Sequence, residues 1–541
     1  MTYNGKYYKV SNFSGGEKAL GLAPDQASSP SYSAELPSNA ASALSNIILM
    51  PNGAGFRNRY ETVYNNSTEF GAADSYPVVG VGQLDLASGA SYTLAIKKDK
   101  AYSSTTNVLS RAVSYTDRTG AVTISTTSTA FDRAYRRWSF CTFNDLLIGF
   151  GGSQVSTPDA PFKWAGAANN LVALGGSPPT ARFCFTANNR VFAGATVAAP
   201  STLYWSIIGN AEDWTGAGSG SAVVGSLADG DPILDAVVLG NDLALVFKSR
   251  SIYAVDLTAA PFVVRLLFNG VGCKGYGSVV VADGMAYFQT PSHQMKATDG
   301  NQVYDFPPFA NNWLGTPASS GIAPPYVFGF RLKSLGEQYT APYDMLVWCG
   351  YSGYGGTDTD TAVETIAWDL GNKCWVRFPT GFAFTSGAQL RGGGFFGGWT
   401  NQGRVFQPDC SYFNGTTLFK DDLTANSGNI ACYWQSGWLT QGELDQLVKP
   451  DRFILHGNTL NGATYSSTLT YGYDFGSLSR SASLPLTSGS SGFMPRAFLT
   501  GRGNLFKFRL SFSPTTAVDL ITVHSFTLGG KVAAQKVKAA S

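Results

Sequence analysis

The sequence predicts a mainly β protein built around a β-propeller, and three observations carry that expectation. A strand-turn-strand module recurs through the middle of the chain, aromatic residues and glycine are abundant while charge is scarce, and only one segment reads as a helix.

The module is a turn, a short apolar strand, a second turn, then a strand with an aromatic residue and a polar end. Its copies read NDLLIGF…APFKWAG from Asn144, NNRVFAG…STLYWS from Asn188, NDLALVFKSRSIYAVD from Asn241, DGMAYFQTPSHQMKATDG from Asp283, YDMLVWC…ETIAWDL from Tyr343 and GGGFFGGWTNQGRVFQPD from Gly392. Upstream, SYTLAIKKDKAYSS from Ser91 has the same layout. One hairpin cannot bury its own apolar faces, so copies must stack or circle to share a core. The turn residues recur near the roughly 40–50 residues of a propeller blade, with longer insertions. Six or seven hairpin-based blades of irregular spacing are therefore expected. An ordinary β-sandwich with many hairpins would show the same alternation of short strands and turns.

Composition agrees with sheets joined by tight turns. Phe, Tyr and Trp make up 13% of 541 residues and glycine numbers 62, so pleated faces can be packed and positive φ supplied. Charged residues make up only 14%, against about a quarter in ordinary soluble domains, which points to a surface largely covered by partners. A net charge of +2 argues against a protein-wide electrostatic grip on nucleic acid. The seven cysteines are scattered without a C-x-x-C pair and read as free, buried thiols of a reducing compartment. The start, MTYNGKYYKVSNFSGGEKALG, has no apolar core of a secretory leader, and no stretch approaches the roughly 20 apolar residues of a membrane-spanning helix.

Three regions follow in order. Residues 1–75 read as an N-terminal docking or platform segment. Within it, LPSNAASALSNIILMP has a Ser38 cap, helix-favouring alanines and Pro51 as a stop, which predicts a short helix. In the following NGAGFRNRYE, Gly53 and Gly55 mark a turn, and the period of two sets Arg57 and Arg59 on one side of an extended segment. Placed so, they are either solvated or able to hold carboxylates of a neighbouring chain. Residues 76–425 carry the propeller, interrupted by Gly/Ser-rich loops at 216–232 and 350–364. Residues 426–541 change pattern: Leu505, Lys507 and Arg509 alternate with Phe506, Phe508 and Leu510, as in an antiparallel β-sandwich with one buried face.

Chemistry-bearing constellations are scarce. His293, His456 and His524 lie in different segments without ligands at metal spacing, and neither a metal nor any other cofactor is expected. Asp145, Asp242, Asp283 and Asp344 sit in turns, where they accept backbone hydrogen bonds, and no S-x-D-x-G-x-T-W box of sialidase blades occurs, so an enzyme is not expected. Asp229-Gly230-Asp231 and Asp358-Thr359-Asp360 offer oxygen ligands for calcium or are plain exposed loops. GGGFFGG at 392–398 lacks the Lys-Ser/Thr and the helix of a phosphate cradle, and its glycines instead allow close packing of backbones near an axis or subunit contact.

Three segments carry a resemblance to a known family. PSNAASALSNIILMPNGAGFRNRYE, WSIIGNAEDWTG at 205–216 and YWQSGWLTQGELDQLVKPDRFIL at 433–455 are similar to stretches of the tail nozzle proteins (tail tubular protein B type) of short-tailed bacteriophages, the podoviruses. The resemblance implies a homohexameric tube at the distal end of the virion tail, assembled in the host cytoplasm. Its N- and C-terminal regions would join into a platform docking on the adaptor ring beneath the portal, and its propellers would surround the channel and bear a tail fibre or spike. Phage DNA would pass without sequence-specific binding, in keeping with a lumen that is not strongly basic. Arg57, Arg59, Trp434 and Trp438 are then the expected adaptor or subunit contacts, because arginine and aromatic residues dominate interface energetics. The channel or rim loops would include Gly392, Gly393, Gly394, Phe395 and Phe396, and Asp358 and Asp360. A receptor- or glycan-binding propeller is the alternative, and a propeller glycoside hydrolase the third reading.

Overall fold

Seven antiparallel four-stranded sheets close into a ring, and the protein is a seven-bladed β-propeller. The computed structural model describes residues 5–10, most of 41–71, 78–104, 113–125, 136–306 with three short breaks, and the strands and tight turns of 327–533. The first strands of the blades are Val78–Asp85, Arg136–Phe143, Phe183–Ala187, Asp235–Leu239, Val280–Ala282, Val327–Lys333 and Phe384–Leu390. They lie innermost, each beside the first strand of the next blade, and the seventh lies beside the first. Ser386 Oγ donates to the Val78 carbonyl at 2.8 Å across that last junction.

Each sequence copy of the module begins at or next to the second strand of a blade, so seven copies give seven blades. Asn144-Asp145, Asn188-Asn189 and Asp283-Gly284 are two-residue loops between first and second strands. All six residues have positive φ, between 46° and 76°. That is the hairpin geometry whose twist matches the strands, and Asn, Asp and Gly adopt it at least cost. The turns also tie blades together: Asn144 Nδ2 donates to the Gly209 carbonyl at 3.2 Å and Asn188 Nδ2 to the Leu257 carbonyl at 2.7 Å, each on the following blade.

An apolar cluster fills each blade junction. Leu84, Leu94 and Ile96 of blade 1 meet Trp138, Phe162 and Trp164 of blade 2, and Phe192 and Trp205 of blade 3 meet Val246 and Val255 of blade 4. Each fully buried Phe in these junctions contributes roughly 1.5–3 kcal/mol. The seventh blade takes its outermost strand from early in the chain: Thr62–Tyr64 pairs with Val405–Pro408, with Tyr64 opposite Phe406. The first 75 residues therefore contribute a strand to the propeller itself.

The two chain ends meet in two further sheets. One contains Ile47–Leu49, Phe56–Asn58, Ile521–Ala533, Leu447–Thr459 and Arg496–Phe498, with Gly5–Val10 paired to Ile521–Ala533. The other contains Ala43–Ser45, Cys432–Gln435, Phe506–Phe512, Thr464–Tyr473 and Arg480–Thr487. Their facing sides share a core in which Phe56, Trp434, Phe453, Phe508 and Phe526 pack ring on ring. Phe506, Phe508 and Leu510 point into it while Lys507 and Arg509 alternate on the other side. We call this pair of sheets the paired-end module.

Two expectations need correction here. The segment read as a helix is extended where described, with strands at Ala43–Ser45 and Ile47–Leu49. Leu44, Ile47, Ile48 and Leu49 are all buried, which no single helical face allows, and contacts on both sides outweigh a helix propensity worth at most about 0.7 kcal/mol per ordinary residue. The chain changes sheets at Asn46, whose φ is 53°. Its backbone N–H donates to the Arg377 carbonyl of blade 6 at 2.9 Å, which ties the module to the propeller, and its Nδ2 donates to the Ala431 carbonyl beside the module strand Cys432–Gln435 at 2.8 Å. Second, the tract at 216–232 is not all loop, because Gly220–Val223 is the outermost strand of blade 3. In the tract at 350–364, Tyr351 ends one strand of blade 6 and Ala362 begins the next.

Candidate functional site

The residues expected to dock on a partner are, where described, interior ones. Arg57 lies in the strand Phe56–Asn58, opposite Ile48 and Thr522, and its side chain is 1% exposed. A guanidinium enclosed in this way by its own chain does not reach a carboxylate on another subunit. Trp434 is buried between the two sheets, with ring centroids 5.1 Å from Phe526 and 5.5 Å from Phe508. It is a core anchor of the module, not a surface one. Gly55 explains the turn: an added Cβ would stand 2.4 Å from the Val523 carbonyl oxygen. Arg59 and Trp438 lie outside the described residues.

The expected channel loop at 392–398 is instead a strand. Gly393–Gly398 is the second strand of blade 7, with Gly393, Gly394, Phe395 and Phe396 opposite Leu390, Gln389, Ala388 and Gly387. Pairing on both edges holds a glycine-rich run extended despite its weak strand preference. Gly392, Asp358 and Asp360 lie outside the described residues.

The acidic loop at 229–231 is structural. Asp229 Oδ2 accepts from the buried Lys248 Nζ at 2.9 Å and Oδ1 from the Asp231 backbone N–H at 2.9 Å; against the opposing effect of burial, the Asp231 bond and then the Lys248 pair hold its carboxyl below the usual range. Asp231 accepts from the Ser249 and Arg250 backbone N–H groups at 3.0 and 3.1 Å. Among the described residues no three His, Cys, Asp or Glu side chains gather as a metal site would require. Cys141, Cys184, Cys273, Cys349, Cys374 and Cys432 are free and buried, as their scatter predicts.

A concavity lies on the propeller axis. It encloses about 460 Å³ and takes lining residues from all seven blades. Trp138, Phe140 and Phe183 supply apolar surface, while Arg137, Arg182, Tyr276 and Asp235 supply polar groups. Arg182 Nη1 donates to Tyr276 Oη at 3.1 Å, and that hydroxyl donates to the Ile233 carbonyl at 3.3 Å. Arg137 Nη1 donates to the Arg136 carbonyl at 2.6 Å. Asp235 accepts from the backbone N–H groups of Ala236, Gly277 and Val279 at 2.9, 3.1 and 3.4 Å. Burial outweighs those bonds and pushes its carboxyl up to about 7. Burial likewise pushes the Tyr276 hydroxyl up. The signal for this cavity was spread over separate positions in all seven blades, so no local motif announced it.

No protein-family model and no curated protein matches the chain. Among solved structures it is similar to the WD40 β-propeller domain of Doa1, at 13% identity over 65% of this chain and 98% of that one, with a TM-score of 0.35. It is also similar to BamB from Moraxella catarrhalis, at 14% identity over 61% and 98%, TM-score 0.27. A third is an exo-β-1,3-galactanase from Phanerochaete chrysosporium, at 8% identity over 83% and 96%, TM-score 0.25. The propeller assignment stands on the strand pairings of the chain itself.

Proposed function

We propose that this chain is a structural subunit of the tail nozzle of a short-tailed phage, a homohexameric ring that docks on the adaptor and conducts DNA. The observation that carries the reading is the interleaving of both chain ends in one module, the joining implied by the resemblance of 37–61, 205–216 and 433–455. DNA, whose major groove alone is about 12 Å wide, does not fit an axial space of about 460 Å³. In this reading the conduit runs between subunits, with the propellers around it and a fibre or spike attached outside, in the virion assembled in the host cytoplasm.

Exposed apolar side chains replace Arg57 and Trp434 as the contacts. Phe498 and Met494 on the module are 80% and 56% exposed, and Val263 and Leu266 on the outer edge of blade 4 are 62% and 51% exposed. In a chain with so few charges, such groups favour burial in an assembly. No catalytic step is assigned. The test is negative-stain imaging of the purified full chain, alone and with tails lacking it. Six-fold rings, or tails completed by added protein, are expected; a monomer that never joins tails rejects the reading. The axial cavity favours a second reading, a ligand-binding propeller, for which a monomer retaining glycan on an array is the discriminating result.

A further inference from the structure

The axial cavity has the makings of a small-molecule site independent of any nozzle role. Its volume of about 460 Å³ falls inside the roughly 300–1,000 Å³ of small-molecule pockets, and its lining is mixed, with polar groups at least as prominent as apolar ones. Two arginines, Arg137 and Arg182, line it from adjacent blades. The Tyr276 hydroxyl is fixed beside Arg182 by bonds on both its sides. Against these stand two lining carboxylates. Asp85 is exposed and accepts from Ser91 Oγ and Gln83 Nε2, and Asp235 is turned to three backbone N–H groups. Guanidinium groups present a planar fork of donors that matches a carboxylate, and they cannot lose their charge. Phe140, half-buried on the same wall, offers an apolar face to the remainder of a ligand.

We propose that this cavity binds a small organic anion through its carboxylate, with Arg182 and Arg137 holding the charge and Tyr276 orienting Arg182. Binding involves no covalent step. The Arg182 side chain is half-buried, and its replacement leaves the backbone pairing of the blade intact.

The experiment is calorimetric titration of the full chain with sodium glucuronate, with glucose as the uncharged counterpart and inorganic phosphate as a different anion. Glucuronate is expected to bind with a dissociation constant of about 1 mM or tighter, and glucose not to bind. Arg182→Gln is expected to weaken glucuronate at least tenfold, and Tyr276→Phe severalfold. If Arg182→Gln fails to fold, Tyr276→Phe decides the outcome alone. Absence of binding at about 20 mM glucuronate, equal binding of glucose, or tighter binding of phosphate than of glucuronate would each overturn the proposal. So would unchanged affinity in Arg182→Gln, or in Tyr276→Phe where it stands alone. Ring formation plays no part in the readout, so this result and the nozzle test fail separately.

Discussion

Asp235 couples the propeller axis to pH. Its carboxyl is raised to about 7 by burial from an ordinary value of 3.8, so the folded chain holds that proton more tightly than the unfolded one. The resulting stabilisation is complete below about pH 4 and is lost as pH rises through about 7. Melting temperatures measured at pH 5.5 and 7.5 are expected to show a fall with pH that shrinks in Asp235→Asn; equal falls in both proteins refute the assignment. Asn46 makes the second residue-scale prediction. Asn46→Ala loses the bond to Ala431 and forces alanine into positive φ, which costs about 2–3 kcal/mol. Asn46→Gly keeps the backbone conformation and is expected to cost less. Urea unfolding of both variants checks the order, and a silent alanine variant contradicts it. Residue type alone did not reveal these places. Arg57 and Trp434 are the kinds of residue that anchor interfaces, but they equally fill a core, and only the partners from distant strands decide which.

Strands with a strong local pattern were legible in the sequence. The Asn, Asp and Gly turns at 144–145, 188–189 and 283–284 announced hairpins because their backbone geometry admits few residue types. Short outer strands such as Val172–Ala173 and Val303–Asp305 were not legible, being too short for a period to show. Thr62–Tyr64 belongs to the last blade through a partner more than three hundred positions away, which no local signal encodes. Glycine-rich Gly393–Gly398 looked both like a module copy and like a loop, and pairing on both edges resolved it as a strand. The outer strand Val263–Asn269 of blade 4 makes the prediction at this scale. It has Val263 and Leu266 in solvent on a sheet edge, an arrangement that lone proteins blunt with charge. The double variant Val263→Lys, Leu266→Lys is expected to leave the melting temperature within a few degrees and to lower self-association in sedimentation velocity. Unchanged association shows that this edge stays wet.

Across the molecule, the ring of blades and the paired-end module are each completed by joining early and late parts of the chain. Thr62–Tyr64 closes the propeller, and strands from both ends share the aromatic core around Phe56 and Trp434. The propeller axis is too narrow for a duplex, so in the proposed nozzle the conduit would lie between copies. Cryo-electron microscopy of the assembled particle tests that most directly. The expected map has six copies around a central channel, each propeller axis displaced from the six-fold axis and free of DNA. A solitary, fully solvated subunit, or duplex density running through the middle of a propeller, would contradict it.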